Sequence, residues 1–157
     1  MKFLLRFAGW ATLAFVPVWF VTHGYQHAIA GLAARLASPP GSEIEIVDLE
    51  IFYPFDLGIY LGLCLASAWA SWSRRFQAAA IGLPVLVAIE VLSLVVAMKA
   101  ILTVMMNPHA APGAGDEAYR LAGGIIRVTG LIAAAGVWLY LLGRERLSLA
   151  GRTWLDT

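Results

Sequence analysis

The sequence predicts an all-α membrane protein: a four-transmembrane-helix bundle with both termini cytoplasmic and a small extracytoplasmic amphipathic helix and strand-like segment. Three observations predict it. Of 157 residues, 61% are hydrophobic and only 13% charged, against about a quarter charged in soluble domains. The apolar residues fall in long blocks rather than scattered through an alternating pattern. The basic residues gather on alternate connections, as the positive-inside rule requires.

A crossing needs roughly 20 apolar residues at about 1.5 Å each. Four blocks qualify within a single domain, at about residues 3–22, 55–72, 77–106 and 121–142. The first starts after a basic opening. Although "HAIA" has the Ala-x-Ala look of a signal-peptidase site, the run is longer and more aromatic than a signal core, which favours a retained span. The third is long enough to tilt or to project beyond the hydrocarbon, and Pro108 disfavours helical geometry at Asn107, ending it. Lys2 and Arg6, then Arg74 and Arg75, then Arg144, Arg146 and Arg152 fall on one side by alternation, whereas Arg35 and Arg120 are the basic residues of the opposite loops. This places the termini inside. Trp19, Tyr53, Trp69, Trp72, Trp138 and Tyr140 lie near the expected interfaces; Trp10 does not.

Residues 23–54 form the expected extracytoplasmic cap. Ile29, Leu32, Ala33 and Leu36 follow helical spacing and predict a short amphipathic helix on the outer membrane surface. After "SPPGS", Glu43 and Glu45, then Asp48 and Glu50, alternate with apolar residues whose face switches at Val47, a pattern of two short strand pieces. A lone strand leaves its backbone groups without a ladder. The segment is therefore either an extended loop across the bundle or an edge offered to a partner's strand.

The candidate chemistry is sparse. Asp56, Lys99 and Arg127 are expected at a common depth near the outer leaflet, either as an ionic cluster or with the cations snorkelling outward. Glu90 is the charge nearest mid-membrane, with Tyr60 and Thr129 at a similar depth. It is read as a proton or quinone site, or as a neutral, hydrogen-bonded acid that holds helices together. His23, His27 and His109 lie on the outer side. His23 and His27 have i, i+4 ligand spacing, and Met105 and Met106 near His109 would suit copper; ordinary interfacial histidines are the alternative. Cys64, the single cysteine, excludes a disulfide framework and, with no histidine expected at its depth, reads as a packing residue. No phosphate loop, nucleophile triad or basic nucleic-acid face is present, so the expectation is no enzyme and no nucleic-acid partner.

The strongest motif concerns packing. Gly58, Gly62, Ala66 and Ala70 recur every fourth residue and predict a groove for close helix approach, with the fourth span or a helix of another subunit as its mate.

The opening "MKFLLRF", the amphipathic piece with its acidic strand, "FYPFDLGIYLGLCLA" and "SWSRR" give a layout that resembles the small membrane proteins accompanying exosortases, in particular the exosortase H-associated type. The resemblance spans most of the chain, and implies a place beside a protein-sorting enzyme of the Gram-negative envelope rather than catalysis by this chain. Exosortases use a cysteine with arginines at the outer face, a setting that Cys64 lacks. The functional expectation is a non-enzymatic accessory or assembly subunit of a larger complex in the bacterial inner membrane. Its partners would be lipid and a larger integral membrane protein, docked through helix packing and the acidic residues Glu43, Glu45, Asp48 and Glu50. The alternative is a small subunit of an electron-transfer or photosynthetic complex, where Glu90 or the histidines would border a quinone, haem or pigment. No cofactor is required by the first of these.

Overall fold

The computed structural model describes residues 2–39 and 55–143. The described chain is helical throughout, in four α-helices: α1 (Lys2–Ala37), α2 (Phe55–Ala66), α3 (Trp72–Met105) and α4 (Ala114–Trp138), the last running into a π-helical turn at Leu139–Gly143. Three of the helices are long and apolar enough to cross a membrane. Large apolar side chains stand exposed on all three, among them Leu13 and Phe20 on α1, Leu92 and Val96 on α3, and Ile125 and Ile132 on α4. In water such a surface would aggregate; in hydrocarbon it is matched to its solvent.

α1 corrects the first expectation. The separate amphipathic helix does not exist as such; its residues continue the first span without a break, giving one helix of 36 residues. The reason is a single buried stripe of small and polar side chains, Ala11, Ala14, Thr22, Gln26, Ile29, Ala30, Ala33, Ala34 and Ala37. It keeps helical spacing across both pieces, so packing carries the helix through Gly24 and Gly31. No atom would obstruct a Cβ at either glycine. Ser38, whose backbone N–H and hydroxyl both return to the Ala34 carbonyl, closes the helix, and Pro39 follows.

α2 corrects the second. The span expected at 55–72 stops being helical at Ala66, and its 12 residues reach about 18 Å, well short of the roughly 30 Å hydrocarbon core. None of its side chains from Asp56 to Ala66 is exposed; α1, α3 and α4 enclose it. Its end is fixed by two side chains. Ser67 Oγ donates back to the Leu63 carbonyl at 2.8 Å. The buried Arg75 guanidinium, from α3, donates to the carbonyls of Leu65 (3.0 Å) and Ala70 (2.9 Å) and lies 4.5 Å from the Trp72 ring. Arg75 thus caps α2 from outside, satisfying acceptors that a terminated helix leaves free.

α3 begins at Trp72, where the Ser71 hydroxyl accepts the Arg74 N–H, an N-cap bond. α4 begins earlier than expected, after Gly113, whose φ of 83° is left-handed backbone that glycine adopts without penalty. Asp116 and Glu117 in its first turn suit the helix dipole. Near the basic end of the molecule Phe3, Trp69 and Trp138 form an aromatic clamp with centroids 5.5 to 6.1 Å apart. The two indoles are tied crosswise: Trp138 Nε1 donates to Ser67 Oγ (2.9 Å) and Trp69 Nε1 to the Leu142 carbonyl (3.2 Å). Separately, Trp10 meets Trp72 edge-on at 6.1 Å, and Trp72 stacks on Phe76. The strand-like segment with Glu43, Glu45, Asp48 and Glu50 lies outside the described residues.

Candidate functional site

The arrangement with the most chemical content is the junction of α1 and α3 around Glu90. Glu90 is 4% exposed, on the face of α3 that also buries Leu86 and Leu94. The Tyr25 hydroxyl of α1 donates to its Oε2. Tyr25 packs against both apolar clusters of the bundle, the one around Tyr60 and Leu86 and the one around Ile29, Ala33, Val91 and Ile126. The buried Gln26 lies beside it in the sequence, and one turn earlier the Thr22 hydroxyl is returned to the Val18 carbonyl at 2.6 Å. Among the described residues no buried side-chain nitrogen or oxygen lacks a hydrogen-bond partner, so the bundle carries its polar groups in satisfied form.

Tyr25 is the partner that sequence reasoning missed, because it was placed in the surface cap. Tyr60 and Thr129, expected at Glu90's depth, are engaged elsewhere. The Tyr60 hydroxyl donates to the Ala78 carbonyl at 2.6 Å over Gly82, where a Cβ would come within 1.9 Å of the phenol oxygen. Thr129 lines a groove between α3 and α4. Glu90 stands about 22 Å along α3 from Arg75 at about 1.5 Å per residue.

The cluster of Asp56, Lys99 and Arg127 is not formed. Asp56 is buried at 6% against Gly130 of α4, and its Oδ1 accepts the Leu57 N–H at 3.0 Å. Lys99 and Arg127 are exposed, in contrast to the buried Asp56. The small-residue groove has an occupant, but it is neither α4 nor another subunit: a Cβ on Gly58 would meet the Phe15 ring at 2.8 Å, and one on Gly62 would meet the Ala11 backbone at 2.8 Å. α1 fills it. Ala66 and Ala70 are buried, though Ala70 lies in the turn beyond α2 rather than on the helix. Cys64 is fully buried and unpaired beside Tyr60.

The histidines divide. His23 and His27 lie side by side on exposed α1 surface with their Nε2 atoms 3.3 Å apart. His109 is exposed after α3, its backbone N–H bonded to Asn107 Oδ1. No group of three or more His, Cys, Asp or Glu side chains is arranged to hold a metal among the described residues.

One surface feature was not anticipated. α3 and α4 diverge to leave an apolar groove of about 520 Å³, lined by Ser93, Ala97, Ala100 and Val104 on one wall and Ala118, Ala122, Ile125 and Thr129 on the other. It is open on the same apolar exterior as Leu92, Val96, Leu121 and Ile125.

No family model matches this chain. No curated protein matches it, and no solved structure does.

Proposed function

We propose that the chain is a non-enzymatic accessory or assembly subunit of a larger complex in the bacterial inner membrane, and that it receives a transmembrane helix of its partner in the α3–α4 groove. That groove is the observation that carries the proposal. The groove of Gly58 and Gly62 is already filled from within, so docking moves to the surface left open. Its walls run from Leu92 to Val104 and from Ala118 to Thr129, about 18 Å and 16 Å of helix, an elongated shape that fits a helix rather than a headgroup. Alanines at 97, 100, 118 and 122 allow the close backbone approach on which helix association in lipid depends. The basic residues at 2, 6, 74 and 75 favour cytoplasmic termini, which would leave Glu43, Glu45, Asp48 and Glu50 outside as a second contact. On the exosortase-associated resemblance, the partner is a protein-sorting enzyme of the envelope.

The test is co-purification in mild detergent of the wild type and of Ala97→Leu with Ala122→Leu. Both alanines are half-buried and line the groove, so the leucines occupy it. Loss of the bound partner with an unchanged melting temperature supports docking there; retention of the partner refutes it. An acyl chain in the groove would appear as co-purified lipid with no dependence of protein partners on the variant.

The Tyr25–Glu90 pair favours a second function, that of a small electron-transfer subunit. A half-buried phenol bonded to a buried carboxyl is a fitting border for a quinone headgroup. A visible absorption spectrum and an organic extract of the same preparation separate the two. Quinone or chromophore at one equivalent, lost in Glu90→Gln, supports the electron-transfer function.

A further inference from the structure

We propose that His23 and His27 form a bidentate site for a divalent transition-metal ion, bound through the two Nε2 atoms on the exposed surface of α1. The geometry rests on helix spacing. Residues four apart lie one above the other on one face, and here the two Nε2 atoms are 3.3 Å apart with ring centroids separated by 4.6 Å. A metal–imidazole bond is about 2.0 to 2.1 Å. Two such bonds to nitrogens at this separation subtend about 105° at the metal, between the right angle of a tetragonal site and the tetrahedral angle. The spacing is thus already that of two ligands on one ion; the rings, which hydrogen-bond to each other without it, turn to aim both lone pairs at the metal, and the shared proton leaves.

The surroundings favour access. Both imidazoles are exposed, and Gly24, between them in sequence, has open space where a Cβ would be. The unbroken helix matters here, since a break at Gly24 would have separated the two rings. His23 follows the apolar run of residues 3–22, which is about 30 Å of helix, so the pair stands at the boundary where aqueous ions reach the protein. Two imidazoles and no third described carboxylate, thiolate or imidazole leave the remaining positions to water. Neutral nitrogen donors with water select the borderline ions, with Cu²⁺ ahead of Ni²⁺ and Zn²⁺. This site stands independently of the docking groove.

The test uses the full chain in detergent, stripped with chelator and titrated with Cu²⁺ alone and Zn²⁺ alone at neutral pH. One equivalent should bind, with nitrogen hyperfine structure from two imidazoles in the Cu²⁺ electron paramagnetic resonance spectrum. His27→Ala and His23→Ala should each weaken binding at least tenfold, and His109→Ala should leave it unchanged. In a fourth variant, His27→Ala combined with Ala28→His keeps three histidines but turns one off the shared face; it should bind as weakly as His27→Ala. All are surface changes, and circular dichroism of each variant checks that the helix persists. Equal affinity in wild type and His27→Ala, or full affinity in the displaced-histidine variant, overturns the proposal.

Discussion

The Tyr25 hydroxyl donates to Glu90 Oε2, joining α1 to α3 through a bond between residues 65 apart in sequence. Buried between helices, such a bond has little water to compete with it, yet interhelical hydrogen bonds in membrane proteins measure only about 0.6 to 2 kcal/mol because the unassembled helices find other partners. A double-mutant cycle with Tyr25→Phe and Glu90→Gln should return a coupling of about 1 kcal/mol in detergent unfolding. Additive effects would mean that the two groups do not share a bond in solution.

Gly82 exists for Tyr60. A methyl group there would overlap the phenol oxygen at 1.9 Å and ring carbon Cζ at 2.3 Å, in a side chain that is fully buried. Gly82→Ala should therefore cost about 1–3 kcal/mol or more by overpacking. Tyr60→Phe, which removes the bond to the Ala78 carbonyl together with the hydroxyl's contact to Cys64, should cost about 1 kcal/mol. Melting temperatures of the two variants give the order.

Gly62→Leu should destabilise the subunit itself. The obstacle at 2.8 Å is the backbone of Ala11, which cannot rotate away as a side chain can, so α1 must separate from α2. A lowered melting temperature is expected for the isolated subunit. Partner binding should fall only in proportion to the folded fraction, in contrast to the groove variants Ala97→Leu and Ala122→Leu.

Arg75→Ala should strip the end of α2 of the donors that satisfy the Leu65 and Ala70 carbonyls. Hydrogen bonds from a charged group are worth about 1.5–3 kcal/mol. Arg75→Lys should recover only part of this, because an ammonium lacks the planar fork that reaches both carbonyls. Hydrogen exchange at residues 63–66 should accelerate in both variants, more in the alanine.

These cases show what the sequence carried and where it fell silent. The apolar blocks of α1, α3 and α4 were legible because hydrocarbon demands long uninterrupted runs. The four-residue repeat of Gly58 and Gly62 announced a close helix contact, but small residues do not encode which neighbour arrives, and α1 came instead of α4. In the sequence the first span ends at residue 22, where the apolar run gives way to polar residues, because hydropathy marks only lipid contact; the alanine stripe that carries α1 onward acts only once α2 and α3 are in place. That one misplacement hid the partner of Glu90, since Tyr25 reaches it only along an unbroken α1. Arg75 was counted as a cytoplasmic charge, and nothing local reveals that its guanidinium turns back over ten residues to close another helix.

α2 has a consequence for biogenesis. A segment of 12 residues with no face turned to lipid cannot hold its place in a bilayer alone, and an insertion machine that sorts segments one at a time would find little in it to release sideways. It becomes stable only when α1 on one side and α3 and α4 on the other have supplied its surroundings. The packing of α2 is therefore completed late, after α4 has left the ribosome, and a product truncated before α4 would be a substrate for membrane proteases.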